Sequence, residues 1–241
     1  MSELEPTGLV EVADSMPARQ RLVLALDLDD LALARRLAQR LAPWFATVKV
    51  GLELFSSAGP VAVSGLVDDG FDVFLDLKLH DIPVTVHRAA RVLGRLGARY
   101  LSVHVAGGRA MLEGAVEGLA LGAADAGMAA PVALGVTVLT SEKDAPRDVL
   151  TARAALAAFA GCGGIVCAAP DLEAVRAAAP GLLTVVPGTR LHQVVADDQA
   201  RVAAPGEAIA HGADLLVVGR PVTASERPEI AAAEIAASIF G

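Results

Sequence analysis

The chain has 241 residues, 54% of them apolar and 20% charged, with 20 basic against 28 acidic side chains and a formal charge of −8. That apolar share excludes a disordered chain, and an acidic balance with no basic cluster argues against nucleic-acid binding. No uncharged stretch exceeds the 17 residues from Ala154 to Pro170, which Gly161, Gly163 and Gly164 interrupt, so no membrane span is expected.

Residues 1–20 hold Glu3, Glu5, Glu11 and Asp14 and no apolar segment, so no signal peptide is read there. They are expected to form an N-terminal extension, followed by one catalytic domain over 21–241. The first apolar run, RLVLALDL (21–28), predicts a strand. DLALARRLAQRLA (30–42) follows with helical spacing, placing Leu33, Leu37 and Leu41 on one face. ATVKVG (46–51) predicts a second strand, and SSAGPVAVSGLVDDG (56–70) a weaker helix. FDVFLDL (71–77) and RYLSVHV (99–105) enclose the helical VTVHRAARVLGRLG (84–97). A long helical stretch (109–127) leads to PVALGVTV (131–138), and another (148–161) leads to GGIVCA (163–168). The sixth strand's neighbourhood holds both cysteines, Cys162 and Cys167, read as buried, inert thiols of a reducing, cytoplasmic compartment. A short helix (171–179), a strand GLLTVVPG (181–188), a helix (197–212) that Pro205 interrupts, a strand ADLLVVG (213–219) and a last helix (225–240) complete the pattern.

Eight near-continuously apolar strands alternating with amphipathic helices predict a parallel sheet covered on both faces, closed as a (β/α)8 TIM barrel. A doubly wound open sheet is the alternative, but the first strand ends LALDLDD without the glycine fingerprint of that fold.

A barrel carries its chemistry at the carboxyl ends of its strands. Polar residues gather there: Asp27, Lys49, then Asp76, Lys78 and Asp81, His104, Thr137 and Thr140, Gly188 with Arg190, and Gly219 with Arg220. DLKLHD (76–81) is the densest group. Strand alternation points Asp76 and Lys78 one way and Leu75, Leu77 and Leu79 the other. Only Lys49, Lys78 and Lys143 are lysines, against 17 arginines. Unlike arginine, a lysine can give up its proton, so two lysines at strand ends point to proton chemistry. PGTR (187–190) and VGRPVTAS (218–225) occupy the loops that bind phosphate in many barrels, with Arg190 and Arg220 as the charged contacts. His104 reads as a satisfied core group and His87, His192 and His211 read as peripheral; the direction of His80 depends on whether the third strand continues that far. No metal-ligand spacing is present.

The run DLKLHDIPVTV (76–86) resembles the signature of the orotidine 5′-phosphate decarboxylase family. ALD (25–27), VKVGLELF (48–55), GVTVLTS (135–141), PGTR (187–190), DDQAR (197–201) and VGRPVT (218–223) follow in the family's order, so the resemblance covers nearly everything after residue 20. It implies a metal-free, cofactor-free lyase that converts orotidine 5′-phosphate to UMP in pyrimidine biosynthesis. It implies Lys78 as proton donor to carbon 6, Asp76 beside the departing carboxylate and Lys49 completing an alternating charge array. Asp81 and Thr85 would reach the partner's site across a homodimer interface. Asp27 and Lys49 would contact ribose and Thr140 the pyrimidine. Arg190, Gln199, Gly219 and Arg220 would hold phosphate, with the loop after the seventh strand as a lid. Val84 stands where the family often has Asn, and Thr189 and Leu191 depart from its usual pattern.

Other readings of the same barrel stay open. A Schiff-base aldolase wants a neutral lysine in an apolar pocket, which the aspartates around Lys78 oppose. A metal-dependent sugar-phosphate decarboxylase or synthase would need a divalent ion, and a non-catalytic barrel would bind phosphate without turnover.

Overall fold

The structure is a computed structural model and describes residues 17–139, 141–142, 146–188 and 203–239. A short helix α1 (Ala18–Arg21) leads into β1 (Leu22–Ala25), α2 (Leu31–Leu41), β2 (Thr47–Val50), α3 (Leu52–Ala58), α4 (Pro60–Asp68) and β3 (Asp72–Leu79). Next come α5 (Pro83–Leu93), β4 (Tyr100–His104), α6 (Arg109–Asp125), β5 (Val132–Val136), α7 (Arg147–Phe159) and β6 (Gly164–Val166). The chain ends with α8 (Leu172–Ala178), β7 (Leu183–Pro187), α9 (Pro205–Ala210), β8 (Leu215–Val218), α10 (Arg220–Thr223) and α11 (Pro228–Ser238). The strands form one closed barrel in chain order, every pair parallel, with Leu24 on β1 beside Val218 on β8 to close it. This is the (β/α)8 TIM barrel that the apolar runs predict.

Period-two alternation sorts the strand residues into two cores. Leu22, Leu24, Val48, Val50, Val73, Leu75, Leu101 and Val103 face outward into the layer under the helices. Val23, Ala25, Phe74, Tyr100, Leu134, Val136 and Val217 face inward and fill the barrel, Phe74 meeting Tyr100 edge-on at 6.3 Å. Outside the barrel, a polar cluster ties α8 to the amino-terminal ends of β7 and β8. Asp214 Oδ2 accepts from the Thr184 N–H, the Thr184 hydroxyl and Arg176 at 2.7, 2.8 and 3.0 Å. Polar ties at that end serve stability, leaving the other end for chemistry. Among the described residues, no helix is long and apolar enough to cross a membrane.

Several elements differ from the expectation. In α2 the buried residues are Ala34, Ala38 and Leu41, whereas Leu33 is 45% exposed. The small alanines let this helix lie close to the barrel, and Asp30 caps it by accepting the Leu33 N–H at 2.8 Å. The segment 56–70 is not one helix. Gly59 takes φ 64 and Pro60 opens α4, so the chain turns sharply between α3 and α4. Pro205 starts α9 rather than splitting a helix, for the same reason, and residues 197–202 of that expectation lie outside the described residues. The last helix begins at Pro228, after the separate short α10.

α5 and α6 pack more closely than any other helix pair described. Gly114, Gly118 and Gly122, spaced four apart on α6, face the carbonyls of Pro83, His87 and Arg91 on α5. A Cβ at Gly118 would collide with the His87 carbonyl, and one at Gly122 with that of Arg91. Gly122→Leu is therefore expected to destabilise the protein by about 2 kcal/mol, because overpacking at about 3 kcal/mol outweighs a helix-propensity gain of about 1 kcal/mol. Denaturant unfolding measures this; an unchanged midpoint would mean the helices tolerate a wider separation.

Candidate active site

The carboxyl ends of the strands open into a cavity of about 520 Å³. Asp27, Lys49, Asp76 and Lys78 line it from the β1, β2 and β3 side, and Gly188, Gly219 and Arg220 from the β7 and β8 side. Phe74, Val136, Val166 and Val217 form its apolar floor. One barrel mouth thus holds a charged wall, an anion-suited wall and an apolar base.

The charged wall alternates in sign. Lys49 Nζ lies 3.1 Å from Asp27 Oδ1 and 3.7 Å from Asp76 Oδ2. Lys78 Nζ donates to both Asp76 oxygens at 2.8 Å. The Asp76 side chain is only 12% exposed. Burial pushes its carboxyl up, but the Lys49 and Lys78 ammoniums and the hydrogen bonds from Lys78 and Ser102 outweigh that and hold it below the usual carboxylate range. Asp76 is therefore an anion fixed between two cations. Gly51 allows the close approach: a Cβ there would stand 3.1 Å from Lys49 Nζ and 3.3 Å from Asp27 Oδ1.

Asp76 and Lys78 share the inward face of β3 as the alternation predicts, while Leu75, Leu77 and Leu79 pack outward. The strand is not regular, however. Leu75 pairs with Leu101 and Leu79 with Val103, so Asp76, Leu77 and Lys78 stand opposite Ser102 alone. Lys78 takes φ 50, the only positive φ of a non-glycine residue among those described. This bulge lifts the ammonium toward the mouth and carries β3 two residues beyond the expected end.

On the opposite wall, Gly188 takes φ 79 and Gly219 precedes the first turn of α10, which begins with Arg220. Thr140, Thr189, Arg190, Leu191 and Gln199, with Lys143 and His192, lie outside the described residues.

Not every expected residue reaches the cavity. Asp81 and Thr85 are exposed and do not line it within one chain; Asp81 Oδ1 instead accepts the Ile82 N–H at 2.6 Å. Thr137 is fully buried and donates to the Val166 carbonyl at 3.1 Å, so it belongs to the wall between β5 and β6. His104 stacks on His80 with ring centres 5.1 Å apart and accepts the Ala106 N–H through Nδ1. Burial, with His80 and Arg153 nearby, lowers its pKa. The cysteines are buried, and burial pushes the Cys162 thiol up to about 11. Among the described residues, no group of three His, Cys, Asp or Glu side chains could hold a metal ion.

Sequence reasoning passed over Ser102, Gly51 and Glu53. Glu53 lines the cavity from the first turn of α3. Its position directly after the lysine-bearing β2, in VKVGLELF, is the signal that could have found it.

The chain is similar to known proteins. Residues 20–235 match the family model described as orotidine 5′-phosphate decarboxylase / HUMPS family. The chain is 44% identical over 236 residues to the orotidine 5′-phosphate decarboxylase of Moorella thermoacetica, covering 93% of this chain and 94% of that one. It is 46% identical over 235 residues to that of Anaeromyxobacter dehalogenans, covering 93% of this chain and all of the other. The crystal structure of orotidine 5′-phosphate decarboxylase from Lactobacillus acidophilus superposes with a TM-score of 0.78 at 32% identity, covering 92% of this chain and 100% of that one.

Proposed function

The chain belongs to the orotidine 5′-phosphate decarboxylase / HUMPS family, and from that premise we propose that it converts orotidine 5′-phosphate to UMP and CO2 in pyrimidine biosynthesis, without metal or cofactor. The observation that carries the mechanism is the Lys49–Asp76–Lys78 array facing the Arg220 wall across one cavity.

The difficulty of the reaction is the electron pair. Breaking the bond from carbon 6 to the carboxylate leaves that pair on a ring carbon with no adjacent electron sink. A fixed ammonium stabilises the negative charge as it develops, and preorganised charge of this kind usually contributes more to catalysis than any other single effect. Lys78 takes that role. Its Nζ–H then goes to carbon 6, CO2 departs, and the neutral amine regains a proton from water. Asp76 sits beside the substrate carboxylate and favours its departure by repulsion, while its two lysine partners keep it anionic. Asp27 and Lys49 take the ribose hydroxyls, Thr140 the pyrimidine. Arg190, Gln199, Gly219 and Arg220 take the phosphate, and their binding energy drives closure of the loop after β7 as a lid.

Asp81 and Thr85 act in the site of a second copy. Ile82 and Val84, beside them, are 62% and 51% exposed, apolar surface that a homodimer would cover. Catalysis by the pair then needs both copies.

The direct test adds orotidine 5′-phosphate to the purified protein with EDTA present and follows its absorbance. Stoichiometric conversion to UMP is expected. No consumption of that substrate, with turnover of a sugar phosphate only after divalent metal is supplied, would sink the proposal.

A further inference from the structure

One interior polar group has no role in the chemistry above. Ser102 lies in the middle of β4, fully buried, with its side chain on the inward face. Its hydroxyl accepts the Lys78 backbone N–H at 2.8 Å and donates its single proton to Asp76 Oδ1 at 2.8 Å. It therefore joins the backbone of one charged residue to the side chain of the other. It does so where β3 slips against β4, with three β3 residues opposite this one serine. Lys78 is held there in a left-handed conformation that a lysine adopts only when its surroundings impose it.

Two consequences of that geometry combine. The accepted N–H fixes the bulged backbone from which the Lys78 side chain departs. The donated hydrogen bond fixes one Asp76 oxygen, and Asp76 in turn receives the Lys78 ammonium at 2.8 Å on both oxygens. Three atoms of the array are thus referenced to one hydroxyl on a neighbouring strand.

We propose that Ser102 is a positioning residue, which through these two hydrogen bonds sets the Lys78 ammonium and the Asp76 carboxylate in the register that faces the reacting carbon. The proposal rests on the functional reading above, in which Lys78 is the acid. Ser102 touches no substrate; it acts through Lys78 and Asp76. Small misplacements of a reacting group are expensive, so losing the hydroxyl should lower the chemical step and spare binding.

The experiment compares wild type, Ser102→Ala and Ser102→Thr. Ser102→Ala is expected to lose kcat by about 10- to 100-fold with UMP affinity within about threefold, and Ser102→Thr to restore it. The acid limb of kcat should also move to higher pH in Ser102→Ala, because Asp76 loses a donor to its charged form. The groups facing Asp76 are otherwise unchanged: Lys49 from β2, Lys78 from β3 and Asp27 beyond Lys49. A third readout needs no turnover: the Asp76 carboxyl carbon, followed by NMR, should titrate at higher pH in free Ser102→Ala. Wild-type kcat and an unmoved acid limb in Ser102→Ala would overturn the proposal. So would a loss of kcat that runs parallel to lost UMP affinity and is not rescued by threonine, the mark of general structural damage. Should wild type fail to consume orotidine 5′-phosphate, the functional reading falls, and the Asp76 titration still decides the fate of Ser102: a shift upholds its hold on the array and no shift removes it.

Discussion

Lys78→Ala is expected to lower kcat by at least about 10^4-fold, the combined loss of an acid and of a fixed charge at the developing carbanion. UMP affinity should stay within about tenfold, since the proposed phosphate contacts lie across the cavity and the array is proposed to touch only the ring and ribose. Single-turnover assays and UMP titration measure the two quantities separately. Lys78→Arg sharpens the test. This chain uses arginine for nearly all its positive charge, and arginine would keep the ion pair with Asp76 while withholding the proton. Both variants should therefore be inactive. Near-normal turnover in Lys78→Arg would mean that position 78 supplies charge alone. Both variants keep Asp76 paired with Lys49 and Ser102, so the fold should survive.

Arg220→Ala is expected to raise KM by about 100-fold or more, the value of a charge-assisted contact to phosphate in a partly closed site. Its effect on kcat follows from the proposed lid. If phosphate binding drives closure, kcat falls as well, because remote binding energy is spent on the chemical step. Orotidine, lacking the phosphate, should then react equally poorly with wild type and with Arg220→Ala. An unchanged KM for the nucleotide would remove Arg220 from the phosphate site.

The barrel was legible because parallel strands buried on both faces must be apolar throughout, and runs such as ADLLVVG cannot be mistaken for polar-faced strands. The gathering of Asp27, Lys49, Asp76, Lys78 and Arg220 at one mouth was legible for a related reason: in an otherwise apolar strand, a charge at the carboxyl end stands out. Other features depend on contacts that local sequence does not contain. Leu33 has the better apolar character, yet packing distance favours Ala34 and Ala38 beneath α2. The Gly59–Pro60 pair does carry a break signal, which the apolar residues around it obscured. Ser102 in RYLSVHV reads as filler, since the slip of β3 against β4 is a property of two strands and of neither alone. The exposed positions of Asp81 and Thr85 have the same origin at a larger scale, because a single chain does not contain the surface they are proposed to complete.

The glycine row on α6 gives this arrangement an unusual pattern of inheritance. α5 begins two residues after Asp81 and carries Thr85 in its first turn, so the row fixes where both are presented. On the proposed pairing, a bulky residue at Gly114, which faces the Pro83 carbonyl where α5 begins, would spare the pocket of the copy that bears it and cripple the neighbour's. Mixing such a variant with Lys78→Ala chains would then yield hybrids whose two defects fall in the same pocket, leaving the other intact, and activity would reappear from two inactive preparations.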